Sequence, residues 1–254
     1  MDHRPKLAAA IAAAVTLTVT GMTGHAAEIR VLSTQATEEA YRELVPEFEK
    51  ATGNKVTTTF TGTLDANKRL AAGENYDLLI MAASSIDEHI KGGKVVPGSR
   101  VDLAKSGVGV GVKSGAPKPD ISTTEAFKRA LLDAKSICYV EQGATGIYLK
   151  GLFERLGIAD QLKGKTKLLP PSNPAAHAVA NGEAEIGMTQ ISEILPYPGA
   201  ELVGPLPAEI QLSSVYPAAV STGAKEPDAA KAFIKFLTAP SAIPVLKAKG
   251  LEPG

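Results

Sequence analysis

The chain has 254 residues, 44% of them hydrophobic, with aromatic residues at 5% and no Trp. Its 27 Lys and Arg balance its 27 Asp and Glu, which argues against nucleic acid as a partner, because a polyanion calls for a basic surplus. The few rings leave a base- or sugar-stacking platform short of material, and the single cysteine, Cys138, rules out an intrachain disulfide.

The N-terminus carries Arg4 and Lys6, an apolar run from Leu7 to Val19 and the small-residue exit Gly24-His25-Ala26-Ala27. That order is the pattern of a secretory signal peptide, and it predicts residues 1–26 as a leader cut after Ala26. The run falls short of the ~20 residues that a helix needs to cross a bilayer, so a soluble protein exported to the periplasm is expected. No cysteine stands at the cut to take a lipid anchor. Only His89 and His177 remain beyond it, which supplies a His-based metal site or a serine triad poorly.

"IRVLS" reads as a strand, followed by a helix from Thr37 to Thr52 with Ala40, Tyr41, Leu44, Val45 and Phe48 at helical spacing. Thr37 suits its N-cap and Gly53 its stop, while Pro46 should kink it. "KVTTTF" is a second strand, then come a turn at Gly62-Thr63, a helix through Lys68 to Ala72, the buried strand "DLLIMA" and a short helix from Ser84 or Ser85. A second series repeats the alternation: "VGVGV", a helix 122–132, "SICYV", a helix 145–156, "TKLLP", a helix 175–180 and "AEIGM". Alternating strands and helices predict an α/β fold of parallel sheets. After "SSVYPAAVST" two helices close the chain, 227–237 and 240–249. They are too little for a third domain, so they are expected to return to the first lobe. The result is a two-lobed, type II periplasmic-binding-protein architecture: lobe 1 from 27–108 and 215–254, lobe 2 from 109–214, with two crossovers as a hinge and a ligand cleft between the lobes.

The turns after the strands concentrate hydroxyl and amide side chains: Thr34, Gln35 and Thr37; Gly62 and Thr63; Ser84 and Ser85; Gln142, Gly143 and Thr145; Ser172 and Asn173; Gln190 and Ser192. Each lies at or near a helix start, where unpaired N–H groups and the positive dipole end favour an anion. Ser, Thr and Asn are also favoured there as plain caps. No Lys or Arg lies within these turns, which suits a binder that must release its ligand better than an acid/base catalyst. The nearby acids Glu38, Glu39, Asp65, Asp87 and Glu193 read as first-turn residues that complement helix dipoles. Glu141, directly after "SICYV", would disfavour an oxyanion if it faced the cleft.

The segments "FEKATGNKV", "RLAAGENYDLLIMA", "GIYLKGLFERLGI", "GEAEIG", "YPAAV" and "AFIKFLTAPSAIPVLKAKGLEP", in this order and spacing, resemble the periplasmic molybdate-binding proteins of ABC importers over nearly the whole mature chain. The resemblance implies two α/β lobes with two crossovers, and it places the family's oxyanion-binding serines at Ala36 and Thr63. It sets second-lobe contacts at Thr145 and Ser172 and the family's tyrosine at Gln190. Ala36 and Gln190 depart from the pattern. Gln190 brings an acceptor as well as donors and so suits a ligand with its own proton. The expected binding set is Gln35, Ala36, Thr37, Gly62, Thr63, Ser84, Gly143, Thr145, Ser172 and Gln190.

The expected role is that of a monomeric, non-catalytic capture protein. It would close on a small anion, either a molybdate- or tungstate-like oxyanion or an organic acid, and present it to an inner-membrane ABC permease, with no cofactor, metal or nucleic acid. The alternative is an enzyme on the same fold with Cys138 as nucleophile. Against it, Cys138 lies inside an apolar strand with no His near it in sequence.

Overall fold

A computed structural model describes residues 26–141 and 144–254; residues 1–25, all but the last residue of the expected leader 1–26, and Gln142 and Gly143 lie outside them. The chain begins with β1 (Glu28–Thr34), a 3-10 turn (Gln35–Thr37), α1 (Glu38–Thr52), β2 (Lys55–Thr61), α2 (Thr63–Ala71), β3 (Leu78–Ile80) and α3 (Ala83–Lys91). It continues through β4 (Val101–Lys113), α4 (Thr124–Asp133), β5 (Ile137–Val140), α5 (Ala144–Arg155), α6 (Ala159–Lys163), β6 (Thr166–Leu169), α7 (Ala175–Ala180) and β7 (Ile186–Gln190). Last come α8 (Ile191–Ile194), β8 (Ala200–Pro205), β9 (Ser213–Val220), α9 (Pro227–Leu237), α10 (Ile243–Ala248) and β10 (Glu252–Pro253).

The strands hydrogen-bond in the order β2-β1-β3-β9-β4-β7-β5-β6, with β8 and β10 also paired to β4. The β1–β2 and β1–β3 pairs are parallel, as are β5–β6 and β5–β7. These two groups meet through β4 and β9. Up to Gly107, β4 pairs antiparallel with β9, and from Val108 onward it pairs with β7 and β8. At this switch the Gln211 side chain stands in for a strand neighbour: its Oε1 accepts from Val108 N at 3.0 Å and its Nε2 donates to Val108 O at 3.0 Å. The "VGVGV" segment is thus the later part of one 13-residue strand. Its earlier half, "VDLAKSG", is masked in the sequence by alternating charged and apolar residues.

Each half has its own core. In the first, Tyr41, Leu44 and Phe48 of α1 meet Ile29 and Val31 of β1 and Phe233, Ile234 and Leu237 of α9. The returning helices pack here because buried Asp77 ties them down. Its Oδ1 accepts from Lys225 N at 2.6 Å and Glu226 N at 3.0 Å, ahead of α9, and its Oδ2 accepts from Arg30 N at 2.8 Å. A carboxylate that receives several backbone N–H groups makes charge-assisted bonds worth about 1.5–3 kcal/mol each. In the second half, Phe127, Leu131, Leu149, Leu152 and Phe153 cover Val110, Ile137 and Met188.

Some expectations shift. Pro46 sits inside α1 without ending the helix. Thr37 does not cap α1: its Oγ1 donates to Thr34 O at 3.1 Å and lies 2.8 Å from Ser33 Oγ. The last helix is broken into a 3-10 turn, Pro240–Ala242, and α10, because Pro240 and Pro244 cannot donate within one continuous helix.

Candidate functional site

The carboxyl ends of β1, β2, β3, β5 and β7 open on a cleft of about 550 Å³ between the two halves. On the first side it is lined by Thr34, Gln35, Gly62, Thr63, Lys68, Ala82, Ser84 and Ser85, and on the second by Ala144, Thr145, Pro171, Pro174, Gln190 and Glu193. Ser214 and Tyr216 of β9 also line it.

Three helices of full length aim their N-termini here. Neither α2 nor α3 is capped by a side chain, since the capping positions are Gly62 and Ala82. Away from the cleft, by contrast, α4 is capped by Thr123, whose Oγ1 accepts from Ala126 N at 3.1 Å. Bare starts on α2 and α3 leave N–H donors and a positive dipole end for an anion. The start of α5, at Ala144 and Thr145, adds a third. Lys68 supplies a cation among the described lining residues, five residues past Thr63 and so beyond the turn itself.

The expected contacts divide three ways. Gln35, Gly62, Thr63, Ser84, Thr145 and Gln190 all line the cleft. Ala36, 3% exposed, sits in the first core, and Thr37, 1% exposed, is held behind the wall by its bonds to Ser33 and Thr34. Ser172 faces solvent on a turn whose Pro171 and Pro174 reach the cleft instead. Gly143 lies outside the described residues. Glu141 is exposed and off the cleft wall, with its N–H bonded to Leu169 O at 3.3 Å.

Sequence reasoning missed Glu193, which it took for a dipole-complementing acid. Burial raises the pKa of this carboxyl above the ordinary carboxylate value; a hydrogen bond from Thr189 Oγ1 to Oε2 lowers it in part, and the Glu38 charge adds to the rise. Tyr216 is buried and its hydroxyl is likewise raised, first by burial and then by the Glu193 charge. The position follows from glycines. A Cβ on Gly109 would lie 2.8 Å from Ile191 Cγ1, and one on Gly111 3.0 Å from Ile194 Cγ2, so only a glycine face on β4 lets α8 seat this closely. The available signal was the four-residue spacing of Thr189 and Glu193, which sets both on one side of the strand-to-helix turn.

Other polar groups divide between use and structure. Gln190 Nε2 donates to Thr145 Oγ1 at 2.9 Å, while its buried Oε1 has no partner among the described residues. Asp65 accepts from Arg69 Nε and Thr61 Oγ1, both at 2.8 Å, and these bonds hold its carboxyl below the usual range. The Cys138 thiol is fully buried against α7, with Ala175 O at 3.9 Å, and burial pushes it up to about 12. It does not line the cleft and is a poor nucleophile. His89 and His177 pair with Asn67 and Asn173. Among the described residues no three His, Cys, Asp or Glu side chains gather as a metal site, and no helix is long and apolar enough to cross a membrane.

Residues 29–252 match the family described as bacterial extracellular solute-binding protein. The chain is 35% identical to the aconitate isomerase of a Pseudomonas species over 231 residues, 89% of this chain and 87% of that one. It is 27% identical to the molybdate-binding protein ModA of Azotobacter vinelandii over 232 residues, 89% and 90% of the two chains. The solved structure of the periplasmic molybdate-binding protein of Azotobacter vinelandii superposes with a TM-score of 0.75 at 20% identity, covering 89% of this chain and 99% of that one. The expectation of a protein without chemistry is corrected by the 35% relative, which is an enzyme. With its ModA-type likeness and two-sided cleft, the chain belongs to the bacterial extracellular solute-binding protein family.

Proposed function

We propose that this chain is exported, takes the tricarboxylate aconitate into the cleft and interconverts its cis and trans double-bond isomers. The observation that carries the reading is a desolvated carboxyl, Glu193, facing a wall of anion donors. A pure anion receptor gains nothing from an acid in its cleft, whereas a proton-moving enzyme needs a titratable group tuned away from its ordinary value. The substrate's three carboxylates suit the starts of α2, α3 and α5 together with Lys68. The 35% identity to an aconitate isomerase supports the choice of substrate.

The direct test is proton NMR of trans-aconitate and of cis-aconitate incubated with the mature protein. Each should drift to the same mixture, and absence of conversion from either side overturns the reading. Binding is read by thermal unfolding of the ligand-stripped protein. A ligand at a hundred times its dissociation constant adds about 2.7 kcal/mol, and each kcal/mol moves the midpoint of a chain this size by roughly 2–4 °C.

A second reading, capture of a small anion for an ABC permease, draws support from the molybdate-binding relative. The same scaffold and the bare helix starts serve it equally. The apolar Ala36, in the core where the resemblance expects an oxyanion-binding serine, weighs against a molybdate-type tetrahedral oxyanion. A midpoint shift with molybdate, and none with either aconitate, would favour capture.

A further inference from the structure

We infer that Glu193 is the catalytic residue, a single carboxyl that removes and returns the migrating proton; this rests on the isomerase reading. Among the described lining residues the other candidates are unsuited. Asp65 is engaged by Arg69 and Thr61. Lys68 is an exposed cation whose place is on a carboxylate. No histidine lines the cleft, and Tyr216, raised by burial, is too weak an acid to exchange protons readily.

The seating of Glu193 fits the task. Thr189 holds Oε2, and no hydrogen bond among the described residues takes Oε1. The short helix α8 is pressed on the glycine face of β4 and on Gly250, where a Cβ would lie 2.8 Å from Ile191 Cγ2. A carboxyl on so fixed a mount stays at one height in the cleft, which a group serving both ends of a three-carbon unit requires. The uncapped starts of α2 and α3 line the same cleft.

The step balances without a co-reactant. The ionised Glu193 takes a proton from the methylene carbon, and the C–H electron pair spreads over the three-carbon unit and its carboxylates. Which isomer forms is set by the turn about the bond to the methylene carbon when the proton leaves, because that bond becomes the new double bond. The same carboxyl then gives the proton to the far carbon of the unit, the double bond stands one place along, and Glu193 is ionised as it began. The donors at the helix starts stabilise the charge that develops on the carboxylates.

The test is Glu193→Gln, with Glu193→Asp as a second variant that keeps the carboxyl but withdraws it by one methylene. The Gln variant should lose about 10²–10⁴-fold in kcat while trans-aconitate still raises its thermal midpoint. The Asp variant should retain part of the turnover, with KM close to wild type. Wild-type protein should show a primary isotope effect with methylene-deuterated trans-aconitate. Turnover of the Gln variant within roughly threefold of wild type, less than 1 kcal/mol of barrier, overturns the assignment and leaves the isomerase reading standing. An inactive wild type overturns both.

Discussion

The two walls of the cleft are built for different work. The first half offers helix starts without caps at Gly62 and Ala82, hydroxyls at Thr34, Thr63 and Ser84, and Lys68. The second offers Gln190 tied to Thr145, and Glu193 tied to Thr189 and perturbed by burial. The first wall offers donors that any oxyanion or carboxylate could use, and the second adds a titratable group. On the proposed reading, an enzyme is made on a binding-protein scaffold by changing one side of the cleft while the other keeps its grip.

The second wall is disturbed most by moving the mount of Glu193. Gly109→Val drives a side chain into Ile191 and Leu202, and overpacking of this kind costs about 1–3 kcal/mol. Turnover by this variant should fall much further than its affinity for trans-aconitate, as separate kinetic and calorimetric titrations would read. On the first wall, Ala82→Ser installs a cap at the bare start of α3. It should stabilise the ligand-free protein by about 1 kcal/mol and weaken trans-aconitate binding roughly tenfold, about 1.4 kcal/mol, because the new hydroxyl takes donors from the ligand. Thr123→Ala is the mirror experiment outside the cleft. Losing the α4 cap should cost about 1 kcal/mol, a midpoint fall of roughly 2–4 °C, with affinity and turnover unchanged.

The smallest effect is in the pH dependence of ligand-free stability. The Glu193 pKa is raised in the folded protein, so its neutral form is favoured there. The stability gained is full below the unfolded carboxylate value and is lost as pH rises through the raised folded value. Glu193→Gln, neutral throughout, should therefore gain in midpoint over wild type as pH is taken from acid to neutral. A difference between the two that does not change with pH would contradict the shifted carboxyl.

The fold was legible because its signals are local and repeated. The apolar spacing of Ala40, Tyr41, Leu44 and Phe48, the buried "DLLIMA" and the helix 227–237 all follow from periodicity and are found in place. The cleft was legible as far as strand ends reveal it, which gave Gln35, Gly62, Thr63, Ser84, Thr145 and Gln190. Ala36, Thr37 and Ser172 do not line it, because neighbours within a turn point to opposite sides. Which one faces the ligand is fixed by contacts such as Thr37 with Ser33 and by the turn of Pro171 and Pro174. Glu193 was hidden for a different reason. Its chemistry depends on burial, and burial depends on the glycine face of β4, some eighty residues earlier in the chain. Lys68 and Tyr216 reach the site from mid-helix and from the crossover strand, where no turn signal marks them.

The most direct test of the division between walls is a crystal structure of the Glu193→Gln protein with trans-aconitate. The ligand should lie between the two halves, with carboxylates at the starts of α2 and α3 and its methylene carbon against the substituted side chain on α8. A ligand bound outside the cleft, or one that turns a carboxylate toward α8 and its methylene away, would contradict it.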